Sequence, residues 1–383
     1  MPQDPTATTD VAVIGGGIIG LAIAWRAAQR GLTVCVLERG EQPGTGASRV
    51  AAGMLAPVTE ADAGELALLE LGLRSARAWP AFAHELEQAS GADPGLRRSG
   101  ALVVARDRDE AEALERELGL RIELGLEVQR LLPSAARRLE PALAPTVRLA
   151  LDVPGDHCAD PRAVVHALAQ AARRAGVTLR TGATVERVEQ DAGRVTGVAL
   201  AGGDVVRARR VVAAAGAWSG AIAGLPRIPL RPVKGQILRL RDPDHGPGRG
   251  LLERIVRFEG GYLVPRGDGR YVLGATMEER GFDTTVSAGG LYELLRDAGE
   301  LVPGVHELVI EEMSAGLRPA TPDNAPLLGP AAELEGLHWA TGHHRNGILL
   351  APVSADIVVD GLTGGGEGVG SAFAAARFSG VHA

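Results

Sequence analysis

The first forty residues alternate between continuous apolar runs and a helical spacing of apolar positions. Val11–Ile14 is a continuous apolar run, and Leu32–Leu37 is apolar except for Thr33; both fit strands buried on both faces in a parallel sheet. Between them, Ile18–Arg30 keeps apolar residues at helical spacing and ends before Gly31, a residue that commonly terminates helices. The pattern predicts a βαβ unit, and Glu38 directly follows its second strand.

The turn between the first strand and the helix reads Gly15-Gly-Gly17-Ile-Ile-Gly20, which has the spacing G-x-G-x-x-G. In this unit the three glycines permit a tight turn, close approach of a pyrophosphate and close helix–sheet packing, in that order. Ile18 and Ile19 present free N–H groups at the helix N-terminus, where an anion is favoured. The acid after the second strand is spaced to bind a ribose. The unit predicts a dinucleotide site; the alternatives are a glycine-rich turn without ligand and a solvated acid.

Later segments return to the buried-strand pattern. Asp160 and Pro161 open an amphipathic helix that runs to Arg174, with an N-cap acid and a proline at the first helical position. The last strand leads through Gly342–Ile348 into another helix. The predicted strands are Val177–Arg180, Thr184–Val188, Arg194–Leu200, Val205–Ala214 and Leu337–Thr341. We expect them to join the first unit in one discontinuous nucleotide-binding domain.

The intervening segments are shorter strand patterns separated by turn residues, which is typical of antiparallel pairing. The predicted strands are Gly100–Ala105, Leu230–Leu240, Arg254–Phe258, Tyr262–Pro265, Tyr271–Gly274 and Glu307–Glu312. The predicted helices are Asp107–Leu120 and Ala288–Leu301. The fold class is therefore α/β, with a second domain built on a mixed or antiparallel sheet.

The amino-acid composition limits the classes of molecule that the protein is expected to bind. The chain has 383 residues, of which 45% are hydrophobic and 23% charged, the values of an ordinary globular protein. A net charge of −7 and only 3% aromatic residues argue against a nucleic-acid partner, which requires a basic surface or stacking platform. The substrate is expected to be a small molecule. The sequence leaves the oligomeric state open, including a homo-oligomer.

The chain carries no pattern of a membrane or secreted protein. The apolar run Val11–Trp25 is short and broken by glycines, so we expect no membrane span. The stretch Met1–Asp10 lacks the cations of a signal peptide. Cys35 and Cys158 are the two cysteines, which fits a reducing compartment. We expect a cytoplasmic protein.

Seven motifs carry a resemblance to a known family, and they run in family order over nearly the whole chain. They are Val13-Ile-Gly-Gly-Gly-Ile-Ile-Gly20, Ala51-Ala-Gly-Met-Leu-Ala-Pro57, Pro232-Val-Lys-Gly-Gln236, Tyr262-Leu-Val-Pro-Arg266, Gly274-Ala-Thr-Met277, Ala315-Gly-Leu-Arg-Pro319 and Gly342-His-His-Arg-Asn-Gly-Ile-Leu-Leu-Ala-Pro352. The chain resembles the FAD-dependent amine oxidases of the D-amino-acid oxidase superfamily, and within it most closely the glycine oxidases of the thiamine pathway. The first motif is shared by many flavoproteins, whereas the last two are far more specific.

The resemblance implies a discontinuous Rossmann-like FAD-binding domain formed by residues 1–88, 151–225 and 315–383. Residues 89–150 and 226–314 would then form the substrate domain. The implied cofactor contacts are Gly15, Gly17, Ile18, Ile19, Gly20, Glu38, Arg39, Ala47, Ser48, Ala52, Gly53, Met54, Val185, His343, His344, Arg345, Asn346, Gly347, Ile348 and Leu349. A helix starting near Asn346 would direct its N-terminus at the flavin ring. FAD is expected to be non-covalent, because no cysteine lies in Ala315–Asp323, beside which some relatives attach it.

Four substrate-site residues are implied in the same way. Arg318 resembles the family's carboxylate clamp; the alternative is an ion pair with an acid such as Asp323. Tyr262 would donate its phenol to the same carboxylate or simply line the core. Arg345 would gate the pocket or hold a loop. Met277 would pack over the pocket, with plain core packing as its alternative.

Three further side chains receive weaker interpretations. Lys234, in the Pro232–Gln236 motif, lies in a turn that the family also carries, and an ordinary solvated turn is an equal alternative. His343 and His344 are adjacent and have no acid at ligand spacing, so we expect no metal site.

The resemblance implies flavin-dependent oxidative deamination of glycine and other small amino acids or N-methyl amines, such as sarcosine and D-alanine. Molecular oxygen would accept the electrons, giving an oxo acid, ammonia or an amine, and hydrogen peroxide. The motif positions offer no obvious acid or histidine as a general base, so the amine would arrive deprotonated. The alternatives are a D-amino-acid or sarcosine dehydrogenase with another electron acceptor, and a flavin-carrying subunit of a larger dehydrogenase.

Overall fold

The computed structural model describes residues 8–246, 250–365 and 370–378. The α-helices in these residues are α1 (Ile18–Gln29), α2 (Ala47–Val50), α3 (Leu66–Ser90), α4 (Arg108–Glu123), α5 (Pro133–Leu139), α6 (Pro161–Arg174), α7 (Ala288–Leu301) and α8 (Ala351–Thr363). The strands are β1 (Thr9–Ile14), β2 (Val34–Leu37), β3 (Met54–Leu55), β4 (Ala101–Ala105), β5 (Gln129–Leu131), β6 (Leu149–Val153), β7 (His157–Cys158), β8 (Thr178–Arg180), β9 (Val185–Asp191), β10 (Arg194–Leu200), β11 (Val205–Ala213), β12 (Arg231–Arg241), β13 (Ile255–Phe258), β14 (Gly261–Pro265), β15 (Arg270–Gly274), β16 (Val309–Ala320), β17 (Leu327–Pro330) and β18 (Leu337–Thr341). Most of the stretch for which we predict no signal peptide lies outside the described residues.

The first sheet has a parallel centre. Its order is β17-β18-β11-β1-β2-β8, with β9 and β10 joined to β11 as an antiparallel extension. β1 pairs in parallel with both β2 and β11, as the buried apolar runs predict. Helices α1, α3, α6 and α8 contribute apolar residues to the core cluster on one face of this sheet. The carboxyl ends of β1, β2, β11 and β18 therefore meet at one edge, where open α/β sheets bind ligands.

The second sheet is mixed. Its order is β16-β12-β15-β14-β13-β4-β6-β5, and all neighbours are antiparallel except β13 and β4. Helix α7 packs its apolar residues against this sheet. The predicted α/β class with a second, mixed sheet is confirmed.

One strand and one helix differ from the prediction in ways that matter for the site. The strand predicted to end at Glu312 continues to Ala320, because β16 pairs with β12 over its whole length. Helix α3 is not predicted by the sequence pattern. The proposed domain limits at residues 150 and 314 fall inside β6 and β16, so we now propose limits after Val153 and Ala320.

No helix within the described ranges is long and apolar enough to cross a membrane.

Candidate active site

A cavity of about 980 Å³ lies between the carboxyl edge of the first sheet and one face of the second. The residues that follow β1, β2, β11 and β18 line one side, and residues of β12, β14 and β16 line the other. The volume is at the upper end of the range for ligand pockets, which suits an elongated ligand with a small molecule beside it.

The glycine turn forms one wall of the cavity. Gly15 has a φ of 107°, and a Cβ there would lie 2.5 Å from the carbonyl oxygen of Ala214, so only glycine fits. The Glu38 carboxylate accepts hydrogen bonds from the backbone N–H of Gly16 (2.7 Å) and Gly40 (2.8 Å). The acid therefore holds the turn as well as lining the cavity.

The start of α1 is joined to the next segment of the wall. The backbone N–H of Ile18 donates to the Ser48 hydroxyl at 3.0 Å. Ser48 lies in the short helix α2, whose residues continue the wall toward Ala52, Gly53 and Met54. The predicted contacts of the glycine motif and of the following loop thus share one surface.

On the side of the cavity away from Arg318, a guanidinium lies on an aromatic ring, a pair that the sequence does not indicate. The Arg39 guanidinium lies 3.7 Å from the centre of the Trp218 ring, and both residues line the cavity near Val185. A guanidinium over an aromatic face makes a flat polar surface. Trp218 comes shortly after β11, behind a strand-to-glycine turn, and this position is the sequence feature that could have indicated a place at the cavity.

Two predicted cofactor residues do not line the cavity. Gly20 packs against the Gly15 carbonyl, where any side chain would collide with the backbone. The Leu349 carbonyl accepts hydrogen bonds from Ser75 (2.6 Å) and Trp79 (2.8 Å), so this residue faces α3. The other predicted cofactor residues all lie on the cavity wall.

The expectation that a helix starts near Asn346 is wrong. The segment after β18 makes a single 3₁₀ turn, His344–Asn346, and α8 begins only at Ala351. His344 has a φ of 45°, which is incompatible with helical continuation. Burial lowers the pKa of His343 to about 3, and burial with the nearby Arg318 charge lowers that of His344 to about 4. Both imidazoles are therefore neutral at pH 7.

Arg318 is fixed at the substrate end of the cavity. Its Nη1 donates to the carbonyl oxygens of Thr276 (3.0 Å) and Lys234 (3.3 Å), and the guanidinium lies directly over Gly235, where a Cβ would collide with it. The predicted alternative, an ion pair with Asp323, is wrong, because Asp323 binds Arg377 at 2.8 Å.

Tyr262 lies beside Arg318 in the wall. Enclosure raises the pKa of its phenol, and the nearby Arg318 charge opposes this effect without cancelling it. The phenol is therefore protonated at neutral pH and can donate. In the antiparallel pair of β13 and β14, Tyr262 is directly opposite Arg257, so these two side chains share a face.

Glu60 is a site residue that the sequence pattern does not indicate. Its Oε2 lies 2.6 Å from Arg345 Nε, and its Oε1 lies 3.1 Å from Arg257 Nε. Burial alone would raise the pKa of this carboxyl, but the charges of Arg257 and Arg345 outweigh burial and lower it. Glu60 is therefore ionised. Arg345 also reaches Glu65 at 3.4 Å, so this predicted site residue holds a loop while lining the cavity.

The loop over the cavity is held by the chain's one lysine. Lys234 is only 2% exposed and lies within β12, not in the solvated turn that we considered. Its Nζ is 3.0 Å from Asp283 and 3.7 Å from Glu278. Met277, in the same loop, is 64% exposed and lines the cavity, so plain core packing is excluded.

The wall fits FAD in shape and chemistry. The glycine turn leaves backbone uncovered, a helix N-terminus lies beside it, and the cavity continues from there to the Arg318 side. Among the described residues, no three His, Cys, Asp or Glu side chains converge as metal ligands would.

The fold and this cavity are those of a flavoprotein oxidoreductase. The chain belongs to the family described as FAD dependent oxidoreductase (DAO), whose sequence model matches residues 10–361.

Three proteins of known name illustrate what this chain is similar to. The glycine oxidase of Geobacillus kaustophilus is 38% identical over 357 residues, 92% of each chain. A crystal structure of glycine oxidase from that organism matches with a TM-score of 0.90 at 36% identity, covering 97% of this chain and 99% of that one. The bifunctional protein ThiO/ThiG of Trichormus variabilis is 38% identical over 355 residues, 92% of this chain and 52% of that protein. An iminodiacetate oxidase from Chelativorans sp. BNC1 has a TM-score of 0.85 at 30% identity, covering 95% of this chain and 98% of that one.

Proposed function

We propose that this protein catalyses the FAD-dependent oxidative deamination of glycine and similar small amino acids or N-methyl amines, with oxygen as electron acceptor. The observation that carries the proposal is the position of Arg318 and Tyr262 at one end of a cavity whose other end is the dinucleotide turn. The similarity to glycine oxidases over 92% of both chains supports it.

In this proposal the substrate carboxylate binds the Arg318 guanidinium, whose planar fork suits a carboxylate, and the Tyr262 phenol donates to it. Binding through the carboxylate places the Cα and amine in the interior of the cavity. FAD, when bound, supplies the two-electron oxidation of the Cα–N bond. The residues named above as wall residues from Gly15 to Met54, with Val185 and His343–Ile348, would hold it.

The titratable side chains at the substrate end of the cavity, within the described residues, are weak bases for the substrate amine. Glu60 is held ionised by two guanidinium groups, which makes it a poor proton acceptor. His343 and His344 have lowered pKa values and are weak bases as well. The amine therefore has to be unprotonated when it reacts, and water hydrolyses the resulting imine to an oxo acid and ammonia.

The test is a purified chain loaded with FAD. We expect glycine to bleach the flavin absorbance under anaerobic conditions, and in air to yield glyoxylate, ammonia and hydrogen peroxide in equal amounts. Turnover with an artificial dye and no peroxide in air would instead support a dehydrogenase. Acid precipitation should release the flavin into the supernatant, because the binding is non-covalent.

We further propose that the activity serves thiamine biosynthesis in the cytoplasm. The sequence resemblance and the bifunctional ThiO/ThiG relative support this role. A deletion strain that grows normally without thiamine would contradict it.

A further inference from the structure

The peptide groups just before Glu60 are held from both sides by charged side chains. Asp156 accepts hydrogen bonds from the N–H of Val58 (3.2 Å) and Thr59 (2.7 Å). Arg121 donates from Nε to the Val58 carbonyl and from Nη2 to the Thr59 carbonyl, both at 2.9 Å. All four polar groups of these two peptides are thus satisfied by one acid and one guanidinium.

Both charged side chains lie in the interior. Asp156 is 0% exposed and Arg121 is 1% exposed. Burial raises the pKa of Asp156 to about 6, and Arg121 Nη1 lies 3.1 Å from Glu117 Oε2. Burying two charges is costly unless their hydrogen bonds are needed. Val58 and Thr59 are themselves buried, so water does not reach these peptide groups and the two charged side chains satisfy them instead.

The two side chains come from distant parts of the chain. Arg121 lies in α4, and Asp156 lies in the turn between β6 and β7, whereas Glu60 follows β3. Arg121 therefore ties the Glu60 loop to the proposed substrate domain, and Asp156 ties it to the segment just beyond the proposed limit after Val153. Glu60 in turn fixes Nε of Arg345 and of Arg257 on the cavity wall.

We propose that Arg121 and Asp156 are positioning residues of the substrate pocket, which act by holding the backbone at Val58 and Thr59 so that Glu60 stays between Arg257 and Arg345. The proposal rests on the proposed function, in that the pocket is taken to bind a small amino acid. The role is indirect, because neither side chain lines the cavity. The support of a binding residue by an outer layer of this kind is common in precise sites.

The test is a double-mutant cycle. Arg121→Lys and Glu60→Gln are made singly and together in the FAD-loaded protein, and Asp156→Asn replaces Arg121→Lys in a second cycle. The readout is the Kd of glycolate, a glycine analogue without an amine, followed by the change it causes in the flavin spectrum. Glycolate binding does not depend on amine oxidation, so failure of the proposed activity and failure of this inference are distinguishable.

We expect each single variant to weaken glycolate binding by about five- to fiftyfold, and each double variant to be within twofold of Glu60→Gln alone. Residues that act through one group are non-additive in this way. Effects that multiply in the double variants of both cycles would overturn the proposal, as would single variants whose Kd stays within twofold of the wild type.

The matched control is Arg266→Lys. Arg266 is also buried and also donates to a backbone carbonyl, that of Ala52 at 2.7 Å, but on the cofactor side of the cavity. In the double variant, the factors by which Arg266→Lys and Glu60→Gln each raise the Kd of glycolate should multiply. Thermal unfolding and flavin content of every variant show whether it is folded; if Arg121→Lys does not fold, the Asp156→Asn cycle decides the question.

Discussion

At the scale of single residues, the substrate end of the cavity is defined by a guanidinium that has little freedom to move. The Arg318 guanidinium packs on Gly235, and its Nη1 donates to two backbone carbonyls. Its Nε and Nη2 groups therefore remain available to a ligand. Because the ligand would replace water around this charge, loss of the guanidinium should be costly.

We therefore predict that Arg318→Ala weakens the apparent affinity for glycine by roughly 30- to 3000-fold. Truncating one partner of a buried, hydrogen-bonded charge pair costs ~2–5 kcal/mol, at tenfold per ~1.4 kcal/mol. Steady-state kinetics measures the effect, and flavin content should hardly change. Arg318→Lys should recover only part of the loss, because an ammonium lacks the planar fork. Glycine kinetics within threefold of wild type in the alanine variant would rule out the clamp.

The titratable residues of the pocket lead to a pH prediction. Activity with glycine should rise from pH 6 to 9, because free amino acids carry an ammonium near neutrality and no wall residue is a strong base. Glu60 has a lowered pKa, so it is already ionised throughout this range. The Glu60→Gln variant should keep the rising profile of kcat/KM, whatever its absolute rate. A profile that becomes flat in this variant would identify Glu60 as the base.

At the scale of elements, the strand β12 holds the loop of residues 276–287 over the cavity. Lys234 binds Asp283 and Glu278, and two residues further along Gln236 donates to Glu278 (2.7 Å) and accepts from the Ser287 N–H (2.8 Å). Alternation along a strand places Lys234 and Gln236 on the same face. One strand face thus determines the position of the loop that carries Met277.

We predict that Lys234→Met frees this loop. Amide hydrogen exchange of residues 278–287 should become at least tenfold faster, because the loop loses its charged anchor while the adjoining strands remain paired. Arg280→Met is the matched control: it removes a charge from the same loop, but its side chain is exposed and forms no ion pair in the described residues. Equal exchange in the two variants would show that the lysine is no anchor.

The elements that could be predicted from the sequence are those whose patterns were strong. Continuous apolar runs predicted β1 and β2, and helical spacing predicted α1, each to within about two residues; the predicted helix Ala288–Leu301 is confirmed as α7. The far end of β16 was missed because Gly316 and Pro319 interrupt a strand pattern; proline is tolerated there because β16 is an edge strand. Helix α3 contains Pro80, which hid its regular apolar spacing.

At the scale of the whole molecule, the site lies where two sheets meet. The family resemblance implies a pocket under the second sheet, but the contacts between side chains of the two domains could not be predicted. Arg318 and Tyr262 were found through family motifs. Glu60, Arg257 and Trp218 have no such motif, and the first two meet at the wall because the loop after β3 reaches β13. Their importance depends on distances between segments that are far apart in sequence.

A ligand that spans the cavity should stabilise both sheets, and this is a prediction about the whole chain. Binding to the folded state alone contributes RT ln(1 + [L]/Kd), about 2.7 kcal/mol at 100 Kd. Adding FAD to the apoprotein should therefore raise the Tm by about 3 °C or more. It should also slow hydrogen exchange in both the glycine turn and the strands that carry Tyr262 and Arg318.

ADP is the informative control for this prediction, because it can occupy only the end of the cavity near Glu38, Arg39 and Val185. At equal concentration we expect ADP to raise the Tm less than FAD, and to slow exchange in β1 and α1 but not in β14 and β16. Protection of β14 and β16 by ADP to the same extent as by FAD would mean that the second sheet responds to closure of the first and not to contact with the ligand. In that case the cavity would be two coupled sites. The continuous wall from Gly15 to Arg318 predicts the opposite, a single elongated site in which each sheet is protected only by the part of the ligand that reaches it.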